Sequence, residues 1–402
     1  MIKNLQNIYS YSVLNFFDKG LIFLTPLIIL KFFDDKVLYN TIEYVYSVST
    51  ILVIFFDLGL KNYTFFYLKK SKTYNQDLNN INNTFYFYIF YIFVFLGIIL
   101  TLYYFNNLNH LKYILGFIII RILYLTIINF YKIIYRANDI PSKIFIFSIP
   151  VSLVTFVLLY INYEFLNFDN LLIFFTAQSL FLILYIIVKF NFKLIVTKIN
   201  SKIILLKKSL KFTFPLMLSV MFYNSMMNYG KIYSFNFLNI EEMTFLSFSQ
   251  RLFIILTFFH ATYVGFFQKK IYLTSDNHFN KRLFINYFLL IILINIILTF
   301  SSSYISTIFN VRITNFNIIL LLSTHSCLWC FSAYFETYLT KTNNNNFIMK
   351  STIFSMIVFI FTLNILTYDF LYSFCISLNL SIFIHVLLIL FKIKKVGIKL
   401  NK

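Results

Sequence analysis

Long apolar stretches, each ended by a short polar break, follow one another along the whole chain. A helix that crosses the hydrocarbon core of a bilayer needs about 20 predominantly apolar residues. Twelve stretches approach that length, at residues 11–33, 42–60, 83–105, 112–133, 144–162, 168–189, 212–235, 243–267, 283–303, 315–339, 347–367 and 370–391. The pattern therefore predicts an all-α integral membrane protein with twelve transmembrane helices.

Positive charges alternate from one connection to the next. Most of the 34 Lys and Arg residues fall on the two termini and on every second connection, while most acids, Glu43 among them, fall on the others. Because basic connections stay in the cytoplasm, both termini are expected there. Asp18 and three bases, Lys19, Arg121 and Arg251, lie inside spans, where a charge costs at least ~2.5 kcal/mol at the helix centre.

The composition is typical of a membrane protein and argues against a soluble, a nucleic-acid-binding or a metal-dependent protein. The chain is 60% hydrophobic and 12% charged, too few charges to cover a soluble surface. Topology and attraction to anionic lipids account for the net charge of +20, so no nucleic-acid partner is expected. The three cysteines lie in apolar stretches, and the Cys327-x-x-Cys330 pair is interpreted as small packing residues. No metal or other cofactor is predicted.

The most basic connection divides the chain after six spans. Two six-helix bundles of similar length, residues 1–195 and 196–402, are therefore predicted to be related by a pseudo-two-fold axis, as in many transporters. No G-x-x-x-x-G-K-S/T motif indicates ATP hydrolysis, and the protein is not expected to be an enzyme. Asp34–Asp35, just outside the first span, is the one feature that favours a membrane glycosyltransferase.

Four short motifs occur in order along the chain. They are "FFDLGLKNYTFFYLKK" (55–70), "YRANDIPSK" (135–143), "LKKSLKFTFPLMLSVMF" (206–222) and "FLSFSQRL" (245–252). Together with the span count and the central break, they resemble the pattern of Wzx-type O-antigen flippases. This family is the polysaccharide-transporter branch of the MOP superfamily, which also contains the MATE drug exporters.

The resemblance implies a function and its partners. It implies translocation of an undecaprenyl-pyrophosphate-linked oligosaccharide from the cytoplasmic to the periplasmic leaflet of the bacterial inner membrane, by alternating access through a cationic cavity. The product would serve O-antigen or capsule assembly. Membrane lipids, a coupling H⁺ or Na⁺ and a polysaccharide polymerase are the implied partners.

The resemblance also assigns roles to the charges within the membrane. A diphosphate needs cations, and the bases expected to bind it are Lys19, Arg121, Lys231 and Arg251. Asp18 is the candidate for ion coupling. Many relatives carry an Asp-Arg pair where this chain has Gly230–Lys231, so the base is kept and the acid is missing.

Alternatives stay open at this point. In the alternative to diphosphate binding, each base pairs with an acid on a neighbouring helix or extends its charged group to the lipid headgroups. A MATE-type drug antiporter needs a cavity dominated by acids, whereas the three span acids, Asp18, Asp57 and Glu336, are matched by three bases.

Glu336 and Asp57 are expected to cap helices or pair with loop lysines. Other polar candidates are His260, His325 and His385, interpreted as packing residues, and Tyr223, Tyr229 and Tyr233, which would contact sugar.

Overall fold

The computed structural model describes residues 2–56, 60–69, 73–105, 111–138, 140–162, 170–189, 199–237, 239–273, 278–396 and 399–401. Thirteen α-helices are present in this part of the chain. They are α1 (Ile2–Ile28), α2 (Lys36–Phe56), α3 (Leu60–Lys69), α4 (Tyr74–Phe105), α5 (Leu111–Ala137), α6 (Phe145–Ile161), α7 (Asn170–Lys189), α8 (Ile199–Phe237), α9 (Ile240–Leu273), α10 (Lys281–Ile308), α11 (Phe316–Lys341), α12 (Asn345–Ile365) and α13 (Phe370–Val396). A π-helical turn (Ile29–Phe33) follows α1, and a 3₁₀ turn (Pro141–Ile144) precedes α6.

Within the described ranges, most residues of each of the twelve predicted spans lie on one of these helices. Ten helices in the described ranges are long and apolar enough to cross a membrane. Many large apolar side chains on them point outward, for example Phe300, Phe361 and Leu289. A water-soluble protein rarely exposes so much apolar surface. The chain is therefore a multi-pass, helical membrane protein, as predicted.

The chain forms two compact units. The first unit consists of Met1–Thr25 and Tyr44–Met217, and the second consists of Pro26–Glu43 and Leu218–Lys402. Helices α1 and α8 both continue from one unit into the other, and each contains a proline near that point, Pro26 or Pro215. A proline inside a helix removes one backbone hydrogen bond and favours a bend. The predicted division at residues 195 and 196 stays a prediction.

In the first unit, α5 lies at the centre. It contacts α3, α4, α7 and the 3₁₀ turn, and α6 contacts α7. Stacked aromatic pairs hold these helices together. Phe130 of α5 stacks on Phe85 of α4 at 3.5 Å between ring centroids, and Phe117 stacks on Phe175 of α7 at 3.9 Å.

In the second unit, α11 has the central place. It contacts α9, α10, α12 and α13, and α12 also contacts α13. Tyr334 of α11 stacks on Tyr287 of α10 at 4.8 Å, and both rings are fully buried. Two three-residue strands, β1 (His278–Asn280) and β2 (Lys399–Asn401), pair in parallel beside this bundle.

Candidate functional site

One carboxylate holds two basic side chains inside the second unit. Glu43 lies two turns into α2 and is 1% exposed. Its Oε2 accepts a hydrogen bond from Lys231 Nζ of α8 at 2.7 Å, and its Oε1 accepts from the Arg251 guanidinium of α9. Both bases are also buried. We call these three residues the Glu43 triad.

The start of α2 is positioned for this contact by its sequence. Asp35 precedes the helix, and its side chain accepts from the backbone N–H of Leu38 at 2.8 Å, as an N-terminal cap does. Lys36 then pairs with Glu241 at 2.6 Å, and Asn40 Nδ2 donates to Thr244 Oγ1 at 3.0 Å. Because Lys36, Asn40 and Glu43 are three or four residues apart, they share one face of α2. That face is attached to the first turns of α9.

Gly230 explains why the acid comes from α2 rather than α8. A Cβ atom at residue 230 would lie 2.7 Å from the Phe374 ring of α13 and 3.0 Å from the Leu246 side chain of α9. No acidic side chain fits at that point without displacing these neighbours. The acid that the sequence lacks beside Lys231 is thus supplied by Glu43.

The charge balance of the triad is one negative to two positive. Removing ionised groups from water is costly, and buried charges persist where partners compensate them. A single carboxylate that accepts from both bases provides that compensation. The residual positive charge makes this group a candidate partner for an anion, and Glu43 would then compete with that anion for the two bases.

A second group of charges lies in the first unit, between α1 and α5. Asp18 is 1% exposed, and its Oδ2 lies 4.0 Å from Lys19 Nζ. Neither carboxylate oxygen has a hydrogen-bond partner within the described part of the chain. Lys132 of α5 is close enough to Asp18 and Lys19 to interact electrostatically with both. Arg136, one turn further on, donates to the Tyr11 hydroxyl of α1 at 3.1 Å.

Arg121 occupies a different environment on α5. It is 8% exposed, and its guanidinium carbon lies 3.4 Å from the centroid of the Tyr46 ring of α2, a cation–π arrangement. Tyr124 is near both Arg121 and Asp18. A line of bases, Arg121, Lys132 and Arg136, thus follows α5, with Asp18 as the acid facing it from α1. We call Asp18, Lys19, Lys132 and Arg136 the Asp18 cluster.

The structure therefore joins two of the predicted bases, Lys231 and Arg251, through a residue that sequence reasoning missed. Glu43 had been placed with the outer-side acids of a connection, whereas α2 begins at Lys36 and buries it. The Asp35–Lys36 start of α2 is the signal that would have moved the start of this span from residue 42 to Lys36 and placed Glu43 two turns inside the helix. Lys132, near the end of the predicted span 112–133, and Arg136, just beyond it, both lie on α5.

Two buried histidines of the second unit have tyrosine hydroxyls as hydrogen-bond partners. His325 Nε2 lies 2.9 Å from the Tyr223 hydroxyl, and His260 Nδ1 lies 2.6 Å from the Tyr287 hydroxyl. These contacts agree with a packing role for both histidines. Tyr229 and Tyr233 stack on each other at 5.9 Å, and Tyr233 also stacks on Phe370.

Glu336, which is expected to cap a helix or pair with loop lysines, has a histidine and a serine as its partners in the structure. It accepts from His385 Nε2 at 2.7 Å and from Ser332 Oγ at 3.0 Å. Asp57 lies outside the described residues. Cys327 and Cys330 are free thiols, and no group of three metal-ligating side chains occurs among the residues that the structure describes.

The fold of this chain resembles that of solved MATE transporter structures. The chain is similar to the solved structure of a eukaryotic MATE transporter, AtDTX14, with a TM-score of 0.66 and 10% identity over 98% of this chain and 96% of that one. It is also similar to an outward-facing multidrug resistance MATE transporter of the MOP superfamily (TM-score 0.60, 11% identity, 98% and 96% covered). A third similar structure is VcmN of Vibrio cholerae (TM-score 0.60, 10% identity, 98% and 97% covered).

At these identities the likeness concerns the fold. No family model and no curated protein match the sequence. The predicted fold class is confirmed.

Proposed function

We propose that this protein is a lipid-linked oligosaccharide flippase. It moves an undecaprenyl-pyrophosphate-linked oligosaccharide from the cytoplasmic to the periplasmic leaflet of the bacterial inner membrane by alternating access. The carrying observation is the excess of bases over acids in both charge groups within the membrane. The Glu43 triad has two bases to one acid, and the Asp18 cluster has three bases to one acid.

The chemistry of the cargo requires this sign of charge. A diphosphate cannot cross hydrocarbon unless cations and hydrogen-bond donors replace its water. Arg and Lys side chains make short, charge-assisted hydrogen bonds to phosphate oxygens. Lys231, Arg251 and Lys19 supply such donors, and Arg121 adds a further positive charge near the middle of α5. The lipid tail stays in the bilayer while the head moves.

Asp18 has a role in the same cycle. Its carboxylate is buried and has no hydrogen bond within the described ranges, so a proton or Na⁺ would satisfy it directly. We assign it to ion coupling. Delivery of the flipped oligosaccharide to a polysaccharide polymerase would follow, for O-antigen or capsule assembly. Both termini lie in the cytoplasm in this proposal.

The second candidate is a MATE-type drug antiporter. The likeness to MATE structures and the buried carboxylate of Asp18 favour it. A cationic drug, however, would meet more bases than acids in both groups. The discriminating measurement is the sign of charge of the ligand that binds.

Complementation tests the flippase directly. A bacterium that lacks its own flippase receives this chain, then Lys19→Ala or Arg251→Ala, with Arg312→Ala as control because Arg312 is exposed on a connection. Membrane abundance of each variant is measured by immunoblot. We expect surface polysaccharide from the unchanged chain and the control, and its loss from the other two at equal abundance. Normal polysaccharide from both Lys19→Ala and Arg251→Ala would remove the role of the bases.

A further inference from the structure

An apolar groove runs along the outside of the first unit, between α6 and α7. Its volume is about 380 Å³. Its walls include Ile146, Pro150 and Val154 of α6 and Ala177, Leu184 and Val188 of α7. Several of these side chains are more than half exposed, so the groove opens to the hydrocarbon of the bilayer.

Two residues create the space between these otherwise adjacent helices. Pro150 lies inside α6, where it removes a backbone hydrogen bond and has no long side chain to fill the gap. Ala177 faces it from α7 with a single methyl group and is buried. The length from Ile146 to Val154 is about 12 Å at 1.5 Å per residue, enough for several bonds of an extended hydrocarbon chain.

The inner wall of the groove reaches α5. Phe147, Phe181 and Tyr185 line both the groove and a smaller cavity that Ile128 and Tyr131 of α5 close. The Tyr131 hydroxyl lies 2.9 Å from Tyr86 and 3.4 Å from Tyr185. Tyr131 immediately precedes Lys132, a member of the Asp18 cluster. Helix α5 therefore borders the smaller cavity behind the groove with Tyr131 and carries Lys132 about 100° around its axis.

A lysine lies just before the first residues of α6 that line the groove. Lys143, in the 3₁₀ turn before α6, is exposed and lies one helical turn ahead of Ile146 and Phe147. A lysine at the end of a spanning helix extends its ammonium group to the headgroup layer while its stem covers apolar surface. An anionic lipid in this groove would find a counter-ion at its phosphate end.

We propose that this groove holds the polyprenyl tail of the transported lipid, with the end of the tail that carries the phosphates directed toward Lys143. The inference rests on the proposed function and adds a site to it. Three features select this occupant: the apolar walls open to lipid, the base just before the groove complements a phosphate, and α5 joins the cavity behind the groove to the Asp18 cluster where the head binds. The tail stays in the groove while the head moves through the protein.

Photo-cross-linking from two matched positions on α7 tests the proposal. A benzophenone amino acid replaces Leu180, which lines the groove and is 49% exposed, or Ile183, which does not line it and is 53% exposed. The full chain is reconstituted in vesicles of phosphatidylethanolamine and phosphatidylglycerol with a minor fraction of undecaprenyl phosphate. We expect residue 180 to capture undecaprenyl phosphate over phospholipid about tenfold better than residue 183. Equal ratios at the two positions would show that ordinary acyl chains fill the groove, and would overturn the proposal.

Two further variants test the charge beside the groove and the width of the groove. Lys143→Glu should lower capture of undecaprenyl phosphate and leave capture of uncharged undecaprenol unchanged. Ala177→Phe should lower capture of both, whereas Leu153→Phe, on the exposed outer face of α6, should lower neither. If neither Lys143→Glu nor Ala177→Phe changes capture, the proposal fails.

The tail site and the proposed function fail in different ways. A chain that flips the lipid-linked oligosaccharide in vesicles but captures no tail from residue 180 retains its function and loses this site. A chain that captures the tail at residue 180 but flips nothing retains the site and loses the function.

Discussion

Lys231 Nζ lies 2.7 Å from Glu43 Oε2, although 188 residues separate them in the chain. Glu43 lies two turns into α2, and Lys231 lies six residues before the end of α8. Arg251 of α9 contacts the other carboxylate oxygen of Glu43. Gly230, next to Lys231, has no room for a side chain unless the Phe374 ring moves. The acid that pairs with Lys231 therefore comes from α2, a distant segment of the chain, and not from α8, where Gly230 stands.

The first prediction concerns the contribution of the Glu43 triad to the stability of the protein. Glu43→Gln should lower the free energy of unfolding of the protein by about 3–5 kcal/mol, because two buried bases lose their counter-charge. Glu241→Gln breaks an exposed pair with Lys36 and should cost about 1 kcal/mol or less. Unfolding in detergent is followed by the fluorescence of Trp329, the single tryptophan of the chain.

A double variant supplies the control for this prediction. Glu43→Gln combined with Lys231→Met removes one of the two uncompensated bases, so part of the lost stability should return. Equal losses for Glu43→Gln and Glu241→Gln would contradict the triad as a stabilising group.

The second prediction tests the close approach at Gly230. Gly230→Ala forces the Phe374 ring to move and should destabilise the protein by about 1–3 kcal/mol, the usual cost of overfilling a packed site. Gly116→Ala is the matched change, since a Cβ there meets no atom within 4 Å. It should raise stability by up to about 1 kcal/mol through helix propensity. Thermal midpoints of the two variants should therefore shift in opposite directions.

The helices were predictable because membrane insertion depends on local composition. Each of the twelve apolar stretches became a helix, since a backbone in hydrocarbon must satisfy its own hydrogen bonds. Boundaries were less predictable, because polar first turns such as Lys36–Glu43 read as connections. The span from residue 42 omitted the turns that carry Lys36 and Asn40, and with them the attachment of α2 to α9.

The pairing of charges was not predictable from spacing. Lys231 and Arg251 stood out because a base in an apolar stretch is unusual. Their shared acid did not, because Glu43 stands near polar residues in the sequence and is buried only by the tertiary fold. The same holds for Lys132, which stands near the end of a predicted span in the sequence and lies near Asp18 and Lys19 in the structure. Which charges meet depends on helix register, and one apolar stretch carries no register information about another.

The third prediction concerns a buried hydrogen-bond chain. Tyr287 donates its hydroxyl hydrogen to the Cys330 carbonyl at 2.8 Å, so His260 Nδ1–H donates to the Tyr287 oxygen. Tyr287→Phe leaves the His260 N–H without that partner in a buried site and should cost about 1–3 kcal/mol. Tyr304→Phe, on the exposed face of the same helix, should change the unfolding midpoint little. Similar small shifts for both variants would show that the hydrogen bonds of Tyr287 to His260 and Cys330 contribute little to stability.

The last prediction separates a helix cap from a metal ligand at Asp35. The cap needs only a side-chain oxygen for the Leu38 N–H, so Asp35→Asn should keep stability and surface polysaccharide, whereas Asp35→Ala should lose about 1 kcal/mol of stability. A catalytic acidic pair that held a metal would lose activity with either variant, because the amide carries no charge for the metal. Stability in detergent and surface polysaccharide in the complemented strain are measured for both variants. Retained polysaccharide with Asp35→Asn places Asp35 in the structure of α2 and removes the feature that favoured a glycosyltransferase. Loss of polysaccharide from a stable Asp35→Asn protein would instead contradict the cap as its sole role.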